Sequence, residues 1–245
     1  MKELLNTIYK RKSVRKYDKN QQLSVEQMNS LKLYISQLQP LVPDISYHLE
    51  IVKREDTSAK FGEYCLLFYS EEKPFYLLNA GYILEQIDLY LESQYIGVCW
   101  YGMAHPKNKT VNGLKHVIML AFGPSYPLVF RQNTSEFNRK EINTIWSGDF
   151  DEEIKEIVRL APSACNTQSW HFTSSSDRVT IYRDPKIRSI IPKSKLTYFN
   201  SIDLGIVMCF FDIALINKGY SYQRTLIDQK TDDNLVKIAT YQIKK

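Results

Sequence analysis

Glycine is scarce in this chain, with nine in 245 residues, about half the usual ~7 %. No two of them stand at the GxG spacing. That excludes a Rossmann dinucleotide fingerprint and a P-loop. Cysteine is sparse too. The four, at positions 65, 99, 165 and 209, form no CxxC pair and no cluster with histidine at zinc spacing. No metal site is expected, and the thiols are expected to be free. Long apolar runs are also missing. The best candidate, Leu204 to Ile216, is shorter than the ~18–20 residues that cross a bilayer and contains Asp212. The N-terminus lacks the apolar run and small-residue cleavage site of a secretory signal. These absences predict a protein of a reducing cytoplasm with no membrane partner. No convincing catalytic triad or carboxylate pair stands out.

Hydrophobic residues make up 44% and charged residues 24%, which excludes disorder for most of the chain. The length allows one large domain or two small ones. The net charge is +5, and its location matters more than its size. Lys2, Lys10, Arg11, Lys12, Arg15, Lys16 and Lys19 face only Glu3 and Asp18 within the first twenty residues, a surplus equal to the net charge. The basicity is therefore local, unlike the broad face of a nucleic-acid-binding domain.

Periodicity and punctuation predict the elements. A short helix covers 3–12. Ser24 and Gln27 form a capping box that opens a helix with Met28, Leu31, Ile35 and Leu38 on one face, ended by Pro40 and Pro43. Tyr47–Lys53 alternates like a strand. Leu77–Tyr95 is a long buried helix, and Ile96–Gly102 follows as a tight loop. A strand lies within Lys115–Gly123, then a polar connector over 132–149. Asp151–Leu160 is a short helix with Ile154, Ile157 and Val158 inward. Trp170–Arg183 is a hairpin turning at Ser174–Asp177. Ser201–Asn217 is a second apolar helix, and Val236–Ile243 a last strand. A weak internal repeat relates Asn79-Ala80-Gly81-Tyr82-Ile83 to Asp203-Leu204-Gly205-Ile206-Val207. Each opens an apolar helix that ends near a second glycine, Gly97 or Gly219.

Two segments could carry chemistry. In Arg11-Lys12-Ser13-Val14-Arg15-Lys16-Tyr17, residues 11, 13 and 15 would share one side of an extended segment. Two guanidinium forks and a hydroxyl suit a phosphate. The same run also reads as a solvated basic linker complementing a helix C-terminus. In Leu160-Ala161-Pro162-Ser163-Ala164-Cys165-Asn166-Thr167-Gln168-Ser169-Trp170-His171-Phe172, small polar groups crowd a loop between helix and strand and could hold a polar ligand. The alternative is an ordinary turn anchored by Trp170. His171 and His105 read as structural, and Cys99 and Cys165 as small packing residues without a redox partner.

Together the two segments resemble the nitroreductase family of flavin enzymes. The first resembles its Arg-Arg-Ser-x-Arg segment, and the second its Pro-Ser-x-x-Asn-x-Gln-Pro-Trp segment, with Ser169 in place of the proline. Ile96-Gly97-Val98-Cys99-Trp100-Tyr101-Gly102 looks like the family's Gly-x-Cys-Trp loop. Arg139-Lys140 resembles its distal phosphate-binding cations. The order of motifs differs from the usual one, because the Pro-Ser segment follows the Gly-x-Cys-Trp helix. With the weak repeat, this implies two half-copies fused in one chain, about 1–147 and 148–245, as in the family's subtype where one chain mimics the usual homodimer. The implied fold is α+β, a mixed, mostly antiparallel sheet flanked by helices.

The resemblance further implies one FMN per chain, NADH or NADPH as hydride donor, and a small-molecule acceptor such as a nitroaromatic or quinone. Arg11 and Ser13 would hold the phosphate with Arg139 or Lys140, Lys12 would also lie at the cofactor, and Arg15 would face the flavin N1 and C2 carbonyl. Pro162, Ser163, Ala164, Asn166 and Gln168 would meet the ribityl chain and ring edge, and the backbone of Trp100, Tyr101, Gly102 and Met103 one ring face. The chain would be a monomer or weak homodimer. A non-catalytic flavin-binding protein is one rival. A binder of nucleic acid or anionic surfaces through Lys10–Lys19 is another, and it leaves the Pro-Ser loop unexplained.

Overall fold

The computed structural model describes residues 1–125 and 130–245. The chain forms two compact units, Lys10–Asn133 and a second made of Met1–Tyr9 with Thr134–Lys245.

The chain opens with a helical stretch that ends in α1 (Leu5–Ile8), shorter than expected because only Leu4, Thr7 and Ile8 find the core. In the Lys10–Asn133 unit, α2 (Val25–Ile35) starts at the expected capping box. Ser24 Oγ accepts from Gln27 N at 3.2 Å, and Gln27 Oε1 accepts from Ser24 N at 2.9 Å. Then come β1 (Tyr47–Lys53), β2 (Tyr64–Ser70), α3 (Tyr76–Ser93), β3 (Ile96–Tyr101), β4 (Thr110–Val111) and β5 (Leu114–Pro124). The strands form one antiparallel sheet in the order β1-β2-β5-β3, with β4 on β5. Ile96–Gly102, expected as a loop, is mostly strand. Its β-branched and aromatic residues pair with β5, Trp100 opposite Leu120.

The second unit continues with α4 (Ile142–Ile145), β6 (Trp146–Ser147), α5 (Glu152–Arg159), β7 (Trp170–Ser175), β8 (Arg178–Arg183), α6 (Lys193–Asn217), β9 (Ser221–Lys230) and β10 (Val236–Lys244). Its sheet runs β6-β7-β8-β10-β9, antiparallel except for the parallel β6–β7 pair. On α5, Ile154, Ile157 and Val158 are buried as expected, and Asp151 caps the start through Glu153 N and Ile154 N. The run at 204–216 belongs to a helix that begins at Lys193, its polar first turns hidden from an apolar pattern. By length and composition α6 could cross a membrane, yet 89% of its most apolar window is buried within the protein. It is a core helix here.

The repeat is visible in the topology. With the two-residue strands β4 and β6 set aside, each unit has a short helix, two antiparallel strands, a long buried helix and two more strands, paired first-second-fourth-third. Asn79, Gly81, Asp88 and Tyr95 have Asp203, Gly205, Asp212 and Gly219 at one constant offset. Tyr95 and Gly219 both leave their helix in the left-handed region, at φ 60° and 77°. Asn79 Oδ1 accepts from Val42 N at 3.1 Å, two residues after Pro40. Asp203 Oδ1 accepts from Ala164 N at 2.9 Å, two residues after Pro162. The same helix position thus anchors the same loop position in both halves.

Candidate functional site

In the Lys10–Asn133 unit the basic segment lies extended beside β3. Val14 N donates to Val98 O at 2.9 Å, and Tyr17 bridges to Ser125. Val14 fills the space where a side chain at Gly97 would stand, 2.9 Å from a Cβ built there. Cys99 of β3 lies beside Ser13. Burial raises its thiol pKa, while the charges of Arg15 and Arg11 and a hydrogen bond from Ser13 lower it. Arg11, Ser13 and Arg15 all act on this one thiol.

They do not share a role. Arg15 is exposed, whereas Arg11 is 1% exposed. Its Nε and Nη2 bind Asp88 at 3.0 and 3.2 Å, and Glu85 and Glu92 lie at 3.8 and 4.0 Å. Burial works against its charge, but the three carboxylates outweigh burial and raise its pKa. A phosphate brought to Arg11 would meet these carboxylates, so the expectation of Arg11 as a phosphate ligand is corrected. Arg11 neutralises the interior of its unit. Lys12 contributes its backbone N–H to the same cluster, 2.9 and 3.1 Å from the Glu92 oxygens.

The signal for this cluster was in the sequence. Glu85, Asp88 and Glu92 stand at i, i+3 and i+7 on an apolar helix, one buried face that needs a cation. Arg131 adds its charge near Glu92, yet burial still favours the protonated acids. Burial, then the Asp88 charge, raises the Glu85 pKa well above its usual range. Burial lifts Glu92 to about 8 against the pull of Arg11. Glu85 Oε2 also accepts from Trp100 Nε1 at 3.1 Å, which ties the cluster to the Gly-x-Cys-Trp element. Beyond it, Tyr101 stacks on Phe61 with centroids 4.6 Å apart, and Gly102 and Met103 are exposed.

In the second unit the structure brings together Arg139, Lys140 and the Pro162–Gln168 loop. Arg139 Nη1 donates to Asn166 Oδ1 at 2.8 Å, and Asn166 Nδ2 to Asn138 O at 2.8 Å. Lys140 N donates to Gln168 Oε1, and Lys140 Nζ to Gln168 O, both at 2.9 Å. Partial burial lowers the Lys140 pKa. Inside the loop Ser163 Oγ accepts from Gln168 N at 2.9 Å, and Thr167 Oγ1 donates to Ala164 O at 2.8 Å. Cys165, Asn166 and Gln168 all have left-handed backbone, with φ 51°, 56° and 46°. Such conformations cost non-glycine residues free energy and concentrate at functional sites.

Two assignments change. Gln168 is buried and holds Lys140 from behind the loop, where the sequence suggested a ligand contact. Cys165 is exposed on the strained turn, where a packing residue was expected, while Cys99 is buried as expected. Asn166 and Cys165 are the loop's exposed residues, Ser163 and Ala164 are half-buried, and Pro162 is buried. All four cysteines are free. Among the described residues no group of histidine, cysteine and acidic side chains could hold a metal. The donors at the loop are cationic and amide groups, which fit a polar anionic cofactor such as FMN. Buried Arg11, held by carboxylates, does not fit a phosphate contact.

The structure of a putative nitroreductase from Thermotoga maritima aligns over 98% of this chain and 93% of its own, at 16% identity and a TM-score of 0.66. That likeness establishes the nitroreductase fold. A nitroreductase family protein from Clostridium difficile (12% identity, 60% of this chain, 98% of that one, TM-score 0.48) also aligns. So does a putative NADH dehydrogenase/NAD(P)H nitroreductase from Parabacteroides distasonis (15% identity, 60% and 99%, TM-score 0.45). No curated protein matches this chain. The family described as "Putative TM nitroreductase" matches residues 3–215. The protein belongs to that nitroreductase family.

Proposed function

We propose that the protein is an FMN-dependent NAD(P)H oxidoreductase that passes hydride to nitroaromatic, quinone or similar small acceptors. Family membership supports oxidoreductase chemistry. The observation that carries the cofactor reading is the strained loop, whose Asn166 is clasped by Arg139 and whose backbone is tied to Lys140. The proposal includes one FMN per chain, a cytoplasmic location, no nucleic-acid or membrane partner, and a monomer or weak homodimer.

FMN, when bound, supplies the hydride transfer. The chain's residues bind and orient it. Arg139 and Lys140 would offer cations to the phosphate. Asn166, Ser163 and Ala164 offer an amide, a hydroxyl and backbone to the polar chain and ring edge. In the Lys10–Asn133 unit the family resemblance assigns Ser13 and the exposed cation Arg15 to the cofactor, where a fixed cation would stabilise negative charge. It assigns the backbone of Trp100–Met103 in that unit to the cofactor as well.

The test is anaerobic addition of NADH or NADPH to FMN-loaded protein, followed by an acceptor. The visible flavin band is expected to bleach with at least one donor and return on adding a quinone or nitroaromatic. Bound flavin that neither donor reduces would refute the oxidoreductase and favour a non-catalytic flavin holder.

A further inference from the structure

We infer that Asp203 is a positioning residue that sets the conformation of the Pro162–Gln168 loop and thereby its grip on the cofactor. The inference rests on the flavin reading for its consequence, but not for its geometry.

Asp203 lies on α6, 3% exposed. Its Oδ1 accepts from Ala164 N at 2.9 Å, at the point where the loop turns into its left-handed stretch. Its Oδ2 has no hydrogen-bond partner among the described residues. One turn earlier on the same helix, Asn200 is 1% exposed, and both its side-chain polar atoms also lack partners. A buried carboxyl with half its capacity unused costs stability that an apolar residue would not. Packing alone does not account for an acid here.

The first half is an internal control. Asn79, at the matching position, accepts from Leu41 N and Val42 N at 2.8 and 3.1 Å, and its Nδ2 donates to Val42 O at 3.4 Å. That amide is fully engaged on a loop, Pro40-Leu41-Val42-Pro43, that lacks the Ser-x-x-Asn residues. The second half keeps the anchor at the same loop position, and the loop it holds is the one with three left-handed residues and two cations at hand. Releasing Ala164 N would let Cys165, Asn166 and Gln168 relax, and Asn166 would leave Arg139.

The experiment compares Asp203→Ala with Asp203→Asn, with Asp203→Ser in reserve should alanine not fold. Hydrogen exchange of the FMN-free protein reads the loop directly, and flavin fluorescence quenching reads the FMN Kd. Loss of one bond to a buried amide corresponds to about a tenfold change. Asp203→Ala is expected to speed exchange of the Ala164 amide, and to weaken FMN, by about that factor. Asp203→Asn keeps the acceptor and is expected to restore both. Asn79→Ala is expected to leave the FMN Kd unchanged. Unchanged exchange in Asp203→Ala, or an asparagine variant as impaired as alanine, would overturn the inference. Exchange that responds as expected in a protein that binds no FMN would leave the positioning role standing and remove the flavin reading.

Discussion

Replacing Arg11 with methionine keeps the volume and removes the buried cation that lies against Glu85, Asp88 and Glu92. Withdrawing one partner from a buried charge pair costs about 3–5 kcal/mol. At roughly 3 °C per kcal/mol for a chain of this size, the thermal midpoint should fall by about 10–15 °C. The loss should depend on pH. Burial already holds the Glu92 carboxyl near 8 and raises Glu85, so protons can replace the missing cation in acid. The gap between wild type and Arg11→Met should therefore be smaller at pH 5.5 than at pH 8. Because Arg11 faces carboxylates and not ligand, the folded variant should bind FMN within about threefold of wild type. Calorimetry at the two pH values and an FMN titration below the midpoint check this. A midpoint loss under about 3 °C, with a tenfold or larger loss of FMN affinity, would refute the reasoning and put Arg11 on the phosphate.

Glu92→Gln tests the same cluster by linkage. A carboxyl raised from 4.5 to about 8 in the folded state favours folding fully below 4.5, and that contribution is lost as pH rises through 8. Stability of the wild type should fall across that window by at most ~1.4 kcal/mol per pH unit for this proton, and Glu92→Gln should flatten the fall seen in denaturant titrations. An identical pH slope in the variant would contradict the assignment. Gly148 sits at φ +90°, and a Cβ there would stand 2.1 Å from Ser174 O. Gly148→Ala should cost about 2 kcal/mol or more, read as a lower midpoint, and an unchanged midpoint would show that the β6–β7 edge yields freely.

Local patterns were legible where local chemistry decides the structure. The capping box at Ser24 and Gln27, the strand at 47–53 and the hairpin at 170–183 follow from side-chain spacing alone. Tyr64–Ser70 and Ser221–Lys230 were missed. The first is a continuous apolar run with no alternation, buried against both its sheet neighbours and the core. The second carries many polar residues along an exposed edge. Ile96–Tyr101 became strand because β5 pairs with it, a partner twenty residues away that no short window contains. The site divides the same way. The Pro-Ser loop was visible as a motif, and Arg139 and Lys140 as cations beside it. Arg11 was misread because its fate is set by α3, distant in sequence, and Asp203 was passed over as a helix residue in a weak repeat.

The central claim is that two half-copies share one chain and that only the second keeps a working cofactor loop. Quantifying the flavin released from purified, FMN-saturated protein tests it most directly. The account predicts one FMN per chain. Two per chain would show that the Pro40–Pro43 loop still works, and a protein that takes up none would contradict the flavin assignment itself.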